Sequence, residues 1–258
     1  AVSERKSESD VVNQVPRVYD EVDKIASAFV NMIESVNHYY NQLVKTQDTL
    51  TFGLTTIVEF RDPETGHHVE RLSHYCRALA KALMELESYL QIDDAFIENI
   101  FKAAPLHDVG KVAVPDSILL KPSQLTPKEF EIMKDHAIIG AKAIETIARR
   151  LPEAGFLNMA RDIAISHHEW WDGGGYPFGI SAEEIPLAGR ILGLADVYDA
   201  LAFPRIYRPT AFPHEEIVKL IEEKAGSQFD PRVVKAFLLI HSTFEEIKNE
   251  LADPVKVP

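Results

Sequence analysis

Two short blocks of this sequence carry residue types that bind metal ions. Residues 107–111 read His-Asp-Val-Gly-Lys, and residues 167–177 read His-His-Glu-Trp-Trp-Asp-Gly-Gly-Gly-Tyr-Pro. Neighbouring residues on a helix project about 100° apart, so a His-Asp or His-His doublet cannot easily direct both side chains at one ion. The doublets suit a site with several metals, in which each partner serves a different ion or a carboxylate bridges them. Because ions roughly 3.5–4 Å apart clamp the attacking and leaving oxygens of a phosphoester, we expect a multinuclear metallohydrolase.

Further residues could complete such a site. They are His68, which follows Glu64 by about one helical turn, together with His136 and Asp196. Asp196 lies in an apolar stretch, where a carboxylate is costly to bury unless it is paired or bound to a cation. Taken singly, a histidine is more often a capping or surface residue, and Asp196 could pair with an arginine such as Arg190. Their joint occurrence with the two doublets favours a metal centre.

Composition restricts the class of protein. The chain has 258 residues, of which 46% are hydrophobic, enough for one domain with a sizeable core plus an appendage. Its net charge of −13 argues against a basic surface for a nucleic acid polymer. An anionic substrate would therefore need local positive charge, which a metal cluster supplies.

The expected compartment is the cytoplasm. The lone cysteine, Cys76, cannot form an internal disulfide, and this favours a reducing environment. No apolar run approaches the roughly 18–20 residues of a membrane span, so no membrane segment is expected in this chain. The N-terminus lacks the apolar region of a signal peptide, and its first residue, Ala1, suggests a fragment of a longer protein.

A long amphipathic helix is expected near the N-terminus. Apolar residues recur there in steps of three and four, as in an amphipathic helix or a coiled coil. These positions are Val18, Val22, Ile25, Phe29, Ile33, Val36, Tyr40, Leu43, Leu50, Leu54 and Ile57. The polar residues 45–48 weaken the stripe midway. Two interpretations stay open, a helix packed on its own domain and a signalling helix that joins two copies in a homodimer.

Helical signals continue through the rest of the chain. Residues 126–129, Thr-Pro-Lys-Glu, form a capping box that opens a helix towards Ile147. Pro213 and the acidic residues after it start another helix, which Gly226 stops. Period-two alternation is scarce, so we expect an all-α fold. We divide the chain into a tail and amphipathic helix over 1–50, a catalytic domain over 51–250 and a C-terminal tail over 251–258.

In order along the chain, the motifs resemble those of the HD-GYP family. The resemblance runs from about Val58 to Phe237 and rests on Thr65-Gly66-His67-His68-Val69-Glu70-Arg71, the His-Asp-x-Gly-Lys run, Pro115-Asp116, Leu119-Leu120-Lys121-Pro122, the His-His block and Gly175-Tyr176-Pro177. That family is an offshoot of the HD phosphohydrolases and hydrolyses the bacterial second messenger cyclic di-GMP. It implies an HD-type helical bundle, which agrees with the all-α reading of the pattern.

The resemblance implies a set of metal ligands. His68, rather than His67, takes the first histidine position, and Asp108 bridges two ions. The full set is Glu64, His68, His107, Asp108, His136, His167, His168 and Asp196. Glu64 decides between two and three divalent ions, since family members with a carboxylate there can hold a third ion and many others carry an aromatic residue. Mixed imidazole and carboxylate ligands suit iron first and manganese next, with zinc and nickel as alternatives.

The resemblance also implies residues that contact the substrate. Lys111 would lie near the scissile phosphate and act with Asp108 in catalysis, although it could instead be a solvent-facing partner of Asp108 or Asp116. Its ammonium could neutralise phosphoryl oxygens and assist the leaving oxygen. The other substrate-binding candidates are the basic pair Arg205 and Arg208, with Asp172, Gly174, Tyr176 and Pro177. The glycines are expected to shape a mobile loop, whose Tyr176 and Pro177 would touch either substrate or a partner such as a diguanylate cyclase.

The sequence departs from the family pattern at several substrate-side positions. Residues 202–204 read Ala-Phe-Pro where the family has a small residue followed by Ser-Asp. Trp170 replaces a commonly basic residue, and Gly174 replaces a common serine. These changes keep every ligand and put the nucleobase preference in doubt.

The function implied is hydrolysis of cyclic di-GMP to pGpG and GMP by a metal-bridging hydroxide, which exists near neutral pH because metals lower the pKa of bound water. One alternative substrate is cyclic GMP-AMP or another cyclic dinucleotide. Another alternative is a non-catalytic receptor or interaction module, which loss of a ligand or of Lys111 would favour. Neither has been lost. A nucleotide phosphohydrolase of the wider HD group fits less well, because the Gly-Tyr-Pro block belongs to the offshoot.

Overall fold

The computed structural model describes residues 15–59, 67–86, 92–204, 208 and 210–252. Within these ranges the regular elements are helices and no β-strand is present, and Ala225 and Phe229 form an isolated bridge. The expected all-α class is confirmed. None of the described helices combines the length and the apolar character that crossing a membrane requires.

The chain divides into two compact units, Ala1–Leu50 and Thr51–Pro258. The described part of the first unit belongs to helix α1, Val15–Glu59. This helix is continuous through residues 45–48, where the sequence pattern weakens. The hydroxyls of Thr46 and Thr49 donate to the carbonyls of Gln42 and Lys45, both at 2.8 Å, so these polar side chains are accommodated within the helix.

The second unit is a bundle of helices joined by short 3₁₀ turns. Its α-helices are α2 (His68–Leu86), α3 (Asp94–Ala103), α4 (Asp116–Leu119), α5 (Pro127–Ala148), α6 (Gly155–Ser166), α7 (Leu187–Ala202), α8 (His214–Glu223) and α9 (Pro231–Glu250). The 3₁₀ turns span Ala104–Leu106, Val109–Ala113 and Ala182–Glu184. The capping box at Thr126 is present and opens α5 one residue later, as its sequence predicts.

An aromatic cluster fixes the mutual positions of α2, α7 and α9. Tyr75 of α2 stacks on Phe244 of α9 with ring centroids 4.3 Å apart. Tyr198 of α7 meets both rings edge-on, at 5.4 and 5.0 Å. All three side chains are fully buried. Because His68 begins α2 and Asp196 lies two residues before Tyr198, this packing brings two predicted ligands together.

A second contact places the HD doublet against α5. Residues 109–113 pack on α5, and Gly110 approaches it so closely that an added Cβ would lie 1.9 Å from the His136 carbonyl oxygen. Only glycine fits this approach. Helix α5 also packs on α6, whose C-terminal end leads directly into His167. The three segments thereby converge with their histidines on one point of the bundle.

Candidate metal centre

The structure gathers seven predicted ligands into two groups. One contains Asp108, His136, His167 and His168, and the other contains His68, His107 and Asp196. Within each group the candidate donor atoms lie within 4.8 Å of one another. Glu64, the predicted third-ion ligand, lies outside the described residues, so the choice between two and three ions stays a prediction.

Asp108 connects the two groups. Its Oδ1 lies 3.1 Å from His136 Nε2 in its own group, while its Oδ2 lies 3.2 Å from His107 Nε2 in the other. A carboxylate that presents one oxygen to each group has the geometry of a bridging ligand. The imidazole of His107 is fully buried, whereas the side chains of Asp108 and Asp196 keep 16% and 22% exposure. Substrate would therefore reach the centre from the carboxylate side.

The two doublets differ in how they distribute their side chains. His107 and Asp108 fall into different groups, as the sequence argument expects. His167 and His168, in contrast, fall into the same group, with ring centroids 3.9 Å apart. The sequence argument expected that adjacent histidines cannot easily be directed at one ion, and this grouping differs from it because α6 ends at Ser166. His168 therefore no longer follows the helical rotation that the argument assumed.

The buried imidazoles point their Nε2 atoms inward. His107 Nδ1–H donates to the Ala104 carbonyl at 3.0 Å, and His136 Nδ1–H donates to the Met133 carbonyl at 2.6 Å. His167 likewise donates to the Ile163 carbonyl at 3.1 Å. Since a carbonyl only accepts, each Nδ1 carries the proton and each Nε2 presents a lone pair.

In the described part of the chain, these lone pairs face one another and accept no hydrogen bond. Among the described residues, Nε2 of His107, His136 and His167 and Oδ1 of Asp108 have no hydrogen-bond partner although they are buried. Imidazole lone pairs 3.1–3.5 Å from a carboxylate repel unless a cation lies between them. Orphaned nitrogen and oxygen donors in this arrangement fit divalent metal ions, and the HD fold implies the same cofactor class.

Burial and neighbouring charges shift the pKa values of these side chains in different directions: burial lowers the pKa of His107, but the Asp108 carboxylate outweighs burial and raises it. Burial would raise the pKa of the Asp108 carboxyl, but the Lys111 ammonium and the His107 imidazole outweigh it and hold the pKa well below its usual value. Burial, followed by the neighbouring His167, lowers the pKa of His168 well below the ordinary histidine value. Burial also lowers the pKa of His167. Asp108 is therefore ionised and both imidazoles of the doublet are neutral.

Lys111 lies beside the bridging carboxylate. Its Nζ is 2.8 Å from Asp108 Oδ2, and its side chain is 19% exposed. Lys111 therefore contacts Asp108, as one of the two interpretations of the sequence proposed. The contact also leaves the ammonium at the edge of the centre, where a phosphate would bind. The two roles do not exclude each other.

Tyr176 packs against the centre. Its ring stacks on His168 with centroids 4.5 Å apart and meets Phe130 edge-on at 5.8 Å. Burial raises the pKa of the Tyr176 hydroxyl, and the Asp108 carboxylate adds to the effect, so the hydroxyl stays protonated. Phe178, which follows Pro177, is 60% exposed.

The expected mobile loop is tied down by hydrogen bonds. Asp172 N–H donates to the Ser227 carbonyl at 2.9 Å, and Asp172 Oδ1 accepts from Gly174 N–H at 2.8 Å. Gly175 packs so tightly that an added Cβ would lie 2.3 Å from Trp170 N. Glu169, which the sequence argument left without a role, is 7% exposed and accepts from Phe178 N–H at 2.7 Å. Asp172 and Gly174 thus shape the loop itself, and their contact with substrate stays a prediction.

A cavity continues from the centre along this loop. It is small and partly open to solvent, and its walls include His168, Asp196, Trp170 and Trp171. Trp170 is 40% exposed. Trp171 is held by its backbone N–H, which donates to the Gln228 carbonyl at 3.1 Å.

Of the two basic candidates, the structure describes Arg208. Arg208 donates to the carbonyls of Ala200, Leu201 and Phe203 and so caps the C-terminal end of α7. Arg205 lies outside the described residues. Phosphate binding by either residue remains a prediction.

Arg190, the alternative partner of Asp196, instead contacts Asp230, with Nη1 2.6 Å from Oδ2. The apolar setting of Asp196 is therefore not explained by this arginine.

Sequence reasoning missed two residues behind His68. Asp199 Oδ2 accepts from His68 Nδ1–H at 2.7 Å, and Asp199 also pairs with Arg71 at 2.6 Å. Each lies three residues after a predicted ligand, Asp199 after Asp196 and Arg71 after His68. That spacing, which places side chains on one helix face, was the available signal.

Comparisons with known proteins agree with the resemblance that the sequence motifs indicate. A family model described as an HD domain matches residues 54–233. A "Cyclic di-GMP phosphodiesterase" of Vibrio cholerae serotype O1 is 44% identical over 235 residues, covering 91% of this chain and 48% of the relative. A "3′3′-cGAMP-specific phosphodiesterase 2" of the same organism is 39% identical over 211 residues, covering 82% of this chain and 38% of that relative.

A solved structure supports the fold. The crystal structure of a cyclic GMP-AMP specific phosphodiesterase of V. cholerae superposes with a TM-score of 0.50 at 20% identity, covering 80% of this chain and 53% of that chain. The chain therefore spans about half the length of the curated relatives and the structure that it matches.

Proposed function

Because the chain belongs to the HD-domain family, and within it to the HD-GYP group recognised from its motifs, we propose that it is a metal-dependent phosphodiesterase that hydrolyses cyclic di-GMP to pGpG and then GMP. The observation that supports this most is the bridge of Asp108 between the two ligand groups, with Lys111 2.8 Å away. Two metal ions at such a site would stabilise the attacking and leaving oxygens of a phosphodiester.

The proposed centre holds two divalent ions in the described residues. One would be held by Asp108, His136, His167 and His168, and the other by His68, His107, Asp196 and the second oxygen of Asp108. Bound ions of this class generate a nucleophile from water at neutral pH and neutralise phosphoryl charge. We propose iron as the native metal and manganese as the next candidate, with zinc and nickel as alternatives and a third ion at Glu64.

The side chains around the ions have separate tasks in this proposal. Neutral imidazoles present lone pairs that their Nδ1 hydrogen bonds keep in place. Lys111 offsets the charge that develops on the phosphoryl oxygens and assists protonation of the leaving 3′ oxygen. Tyr176, held protonated beside His168, can donate a hydrogen bond to a substrate oxygen.

A second substrate, 3′3′-cyclic GMP-AMP, is favoured by one observation. A relative named for that activity is 39% identical to this chain. The divergent residue Phe203 does not add to this case, because its ring lies over the Arg71 guanidinium at 3.7 Å and is only partly exposed. We retain cyclic di-GMP as the first proposal.

Product chromatography tests the proposal. The purified chain, loaded with iron or with Mn²⁺, is incubated with cyclic di-GMP and separately with 3′3′-cyclic GMP-AMP. We expect pGpG followed by GMP from the first substrate and slower turnover of the second. Intact substrate in both reactions, from protein that contains metal, would contradict the enzyme proposal and favour a receptor.

Two partner proposals accompany the activity. The exposed apolar side chains of α1 are suited to pairing with a second copy of the chain, which gives a homodimer. The exposed rings of Trp170 and Phe178 are available for a partner such as a diguanylate cyclase. A cytoplasmic location agrees with both partners and with a nucleotide substrate.

A further inference from the structure

A buried carboxylate lies directly behind one of the proposed ligands. Asp199 is 1% exposed and its two oxygens contact two partners. Oδ2 accepts from His68 Nδ1–H at 2.7 Å and from Arg71 Nη2 at 2.9 Å, while Oδ1 accepts from Arg71 Nε at 2.6 Å. The result is a bidentate arginine–carboxylate pair that also holds an imidazole.

The guanidinium of Arg71 is held from several directions. Its Nη1 donates to the Leu251 carbonyl at 2.9 Å, where α9 ends, and the Phe203 ring lies 3.7 Å from its carbon. Arg71 is 1% exposed. A buried carboxylate is costly unless it is paired and fully hydrogen-bonded, and this arginine satisfies that condition for Asp199.

The pair distinguishes His68 from the other imidazoles. His107, His136 and His167 donate their Nδ1–H groups to neutral main-chain carbonyls. His68 donates to an ionised carboxylate instead. This fixes the proton on Nδ1, directs the Nε2 lone pair towards Asp196 Oδ1 at 3.7 Å, and makes the ring a more basic ligand than a carbonyl partner would.

We propose that Arg71 and Asp199 are positioning residues that set the metal affinity of the group formed by His68, His107 and Asp196. The inference rests on the metal centre of the proposed function but not on its substrate. Arg71 and Asp199 hydrogen-bond to each other, to His68 and to the Leu251 carbonyl, and His68 belongs to this ligand group. Their loss should therefore weaken one ion and spare the other.

Mn²⁺ binding to the full chain tests this. Protein stripped by a chelator is titrated with Mn²⁺, free ion is followed by electron paramagnetic resonance, and bound ion is counted after gel filtration. We expect wild type to bind two ions. The Asp199→Asn side chain lacks the charge and the second oxygen that pair with the guanidinium. We expect the Mn²⁺ Kd of one site to rise roughly 10–100-fold and the Mn²⁺ Kd of the other site to stay unchanged.

A matched control separates positioning from general damage to the core. Asp230 is 2% exposed and forms a comparable pair with Arg190, at 2.6 Å. Asp230→Asn should lower the melting temperature about as much as Asp199→Asn while retaining both Mn²⁺ sites. Arg71→Lys, which keeps a cation but loses the fork, should raise the same Kd by a smaller factor and remains informative if Asp199→Asn fails to fold.

Three outcomes would overturn the inference. The first is wild-type Mn²⁺ binding in Asp199→Asn, or in Arg71→Lys if Asp199→Asn does not fold. The second is an equal loss of both ions in the folded variant. The third is the same selective loss of one ion in Asp230→Asn. A selective loss in Asp199→Asn supports it even if the protein cleaves no cyclic dinucleotide, since the readout is bound metal. Failure of hydrolysis alone would contradict only the proposed function.

Discussion

Lys111 places a positive charge beside the metal centre but is not one of its candidate ligands. Its Nζ lies 2.8 Å from Asp108 Oδ2 on the side of the centre that retains solvent exposure. Lys111→Met should lower kcat roughly 10²–10³-fold, the usual cost of removing one group that stabilises transition-state charge. Metal content should stay at the wild-type value, as measured by elemental analysis beside product chromatography.

Lys121→Met is the control for this change. Lys121 forms an ion pair with Glu129 at 2.5 Å, and neither residue belongs to the centre. Its kcat should match wild type. If Lys111→Met lost metal in proportion to activity, the lysine would serve only to hold Asp108.

At the residue scale, the sequence predicted ligand types better than ligand partners. The doublets and the motif order pointed to the seven candidate ligands that the structure gathers. Asp199 and Arg71 were missed although each lies three residues after a predicted ligand, because only the fold shows that these two residues, 128 positions apart, contact each other. The pairing of His167 with His168 in one group depended on where a helix ends, and helix ends are poorly specified by local pattern.

Among the elements, the 3₁₀ turn Val109–Ala113 and helix α5 are joined by the closest backbone approach in the site. Gly110→Ala would place a Cβ 1.9 Å from the His136 carbonyl oxygen. We expect a loss of about 1–3 kcal/mol or more in the free energy of unfolding, since backbone must move to relieve the overlap. Urea unfolding followed by circular dichroism measures it.

Gly53→Ala supplies the opposite control. Gly53 lies within α1, and an added Cβ there would meet nothing within 4 Å. Alanine in a helix interior is favoured over glycine by roughly 0.5–1 kcal/mol. Equal effects of the two substitutions would contradict the role of Gly110 as a packing requirement.

Helix α1 presents an exposed apolar seam at heptad spacing. Its alternating steps of three and four residues include Val22, Ile25, Phe29, Met32, Val36, Tyr39 and Leu43, each at least 52% exposed. Such a seam is typical of a coiled coil. Phe29→Asp should shift the chain from dimer towards monomer in light scattering after gel filtration. Ser27→Asp, which adds the same charge outside the seam, should leave the dimer intact, and a monomeric wild type would contradict the homodimer proposal.

Two helix starts were predicted from the residues that precede them. The box at Thr126 located the start of α5, and Pro213 located the start of α8. The continuity of α1 through residues 45–48 was underestimated, because threonine hydroxyls can bond back to the preceding turn and so tolerate a helical interior. The anchoring of the glycine-rich loop was not predictable, since its backbone bonds reach residues 227 and 228.

For the molecule as a whole, bound metal should be a large part of its stability. Ligand that binds only the folded state adds about 2.7 kcal/mol at a concentration 100 times its Kd. The melting temperature should therefore rise with added Mn²⁺ and fall with a chelator, as measured by differential scanning calorimetry. A melting temperature independent of both additions would contradict the metal centre.

The stabilisation of the folded chain by bound metal should decrease as the pH falls. Protons and metal ions compete for the Nε2 lone pairs, so affinity decreases with proton uptake. Burial tends to lower the pKa of His107, but Asp108 outweighs it and raises the pKa, which favours proton uptake by this ring. The depressed pKa of His167 and His168 delays their protonation. We expect the Mn²⁺-dependent rise in melting temperature to be smaller at about pH 5.5 than at about pH 7.5.

The position of the tryptophans gives this centre an optical signal of its own. The sequence contains two tryptophans, and Trp170 and Trp171 both line the cavity that includes His168 and Asp196. Tryptophan emission from the entire chain is therefore a local measurement beside the ions. Arrival of a metal, a base or a product changes the intensity without any label, and Trp170→Phe assigns the signal to one ring. Binding to this protein can thus be followed in real time where turnover is too slow to detect.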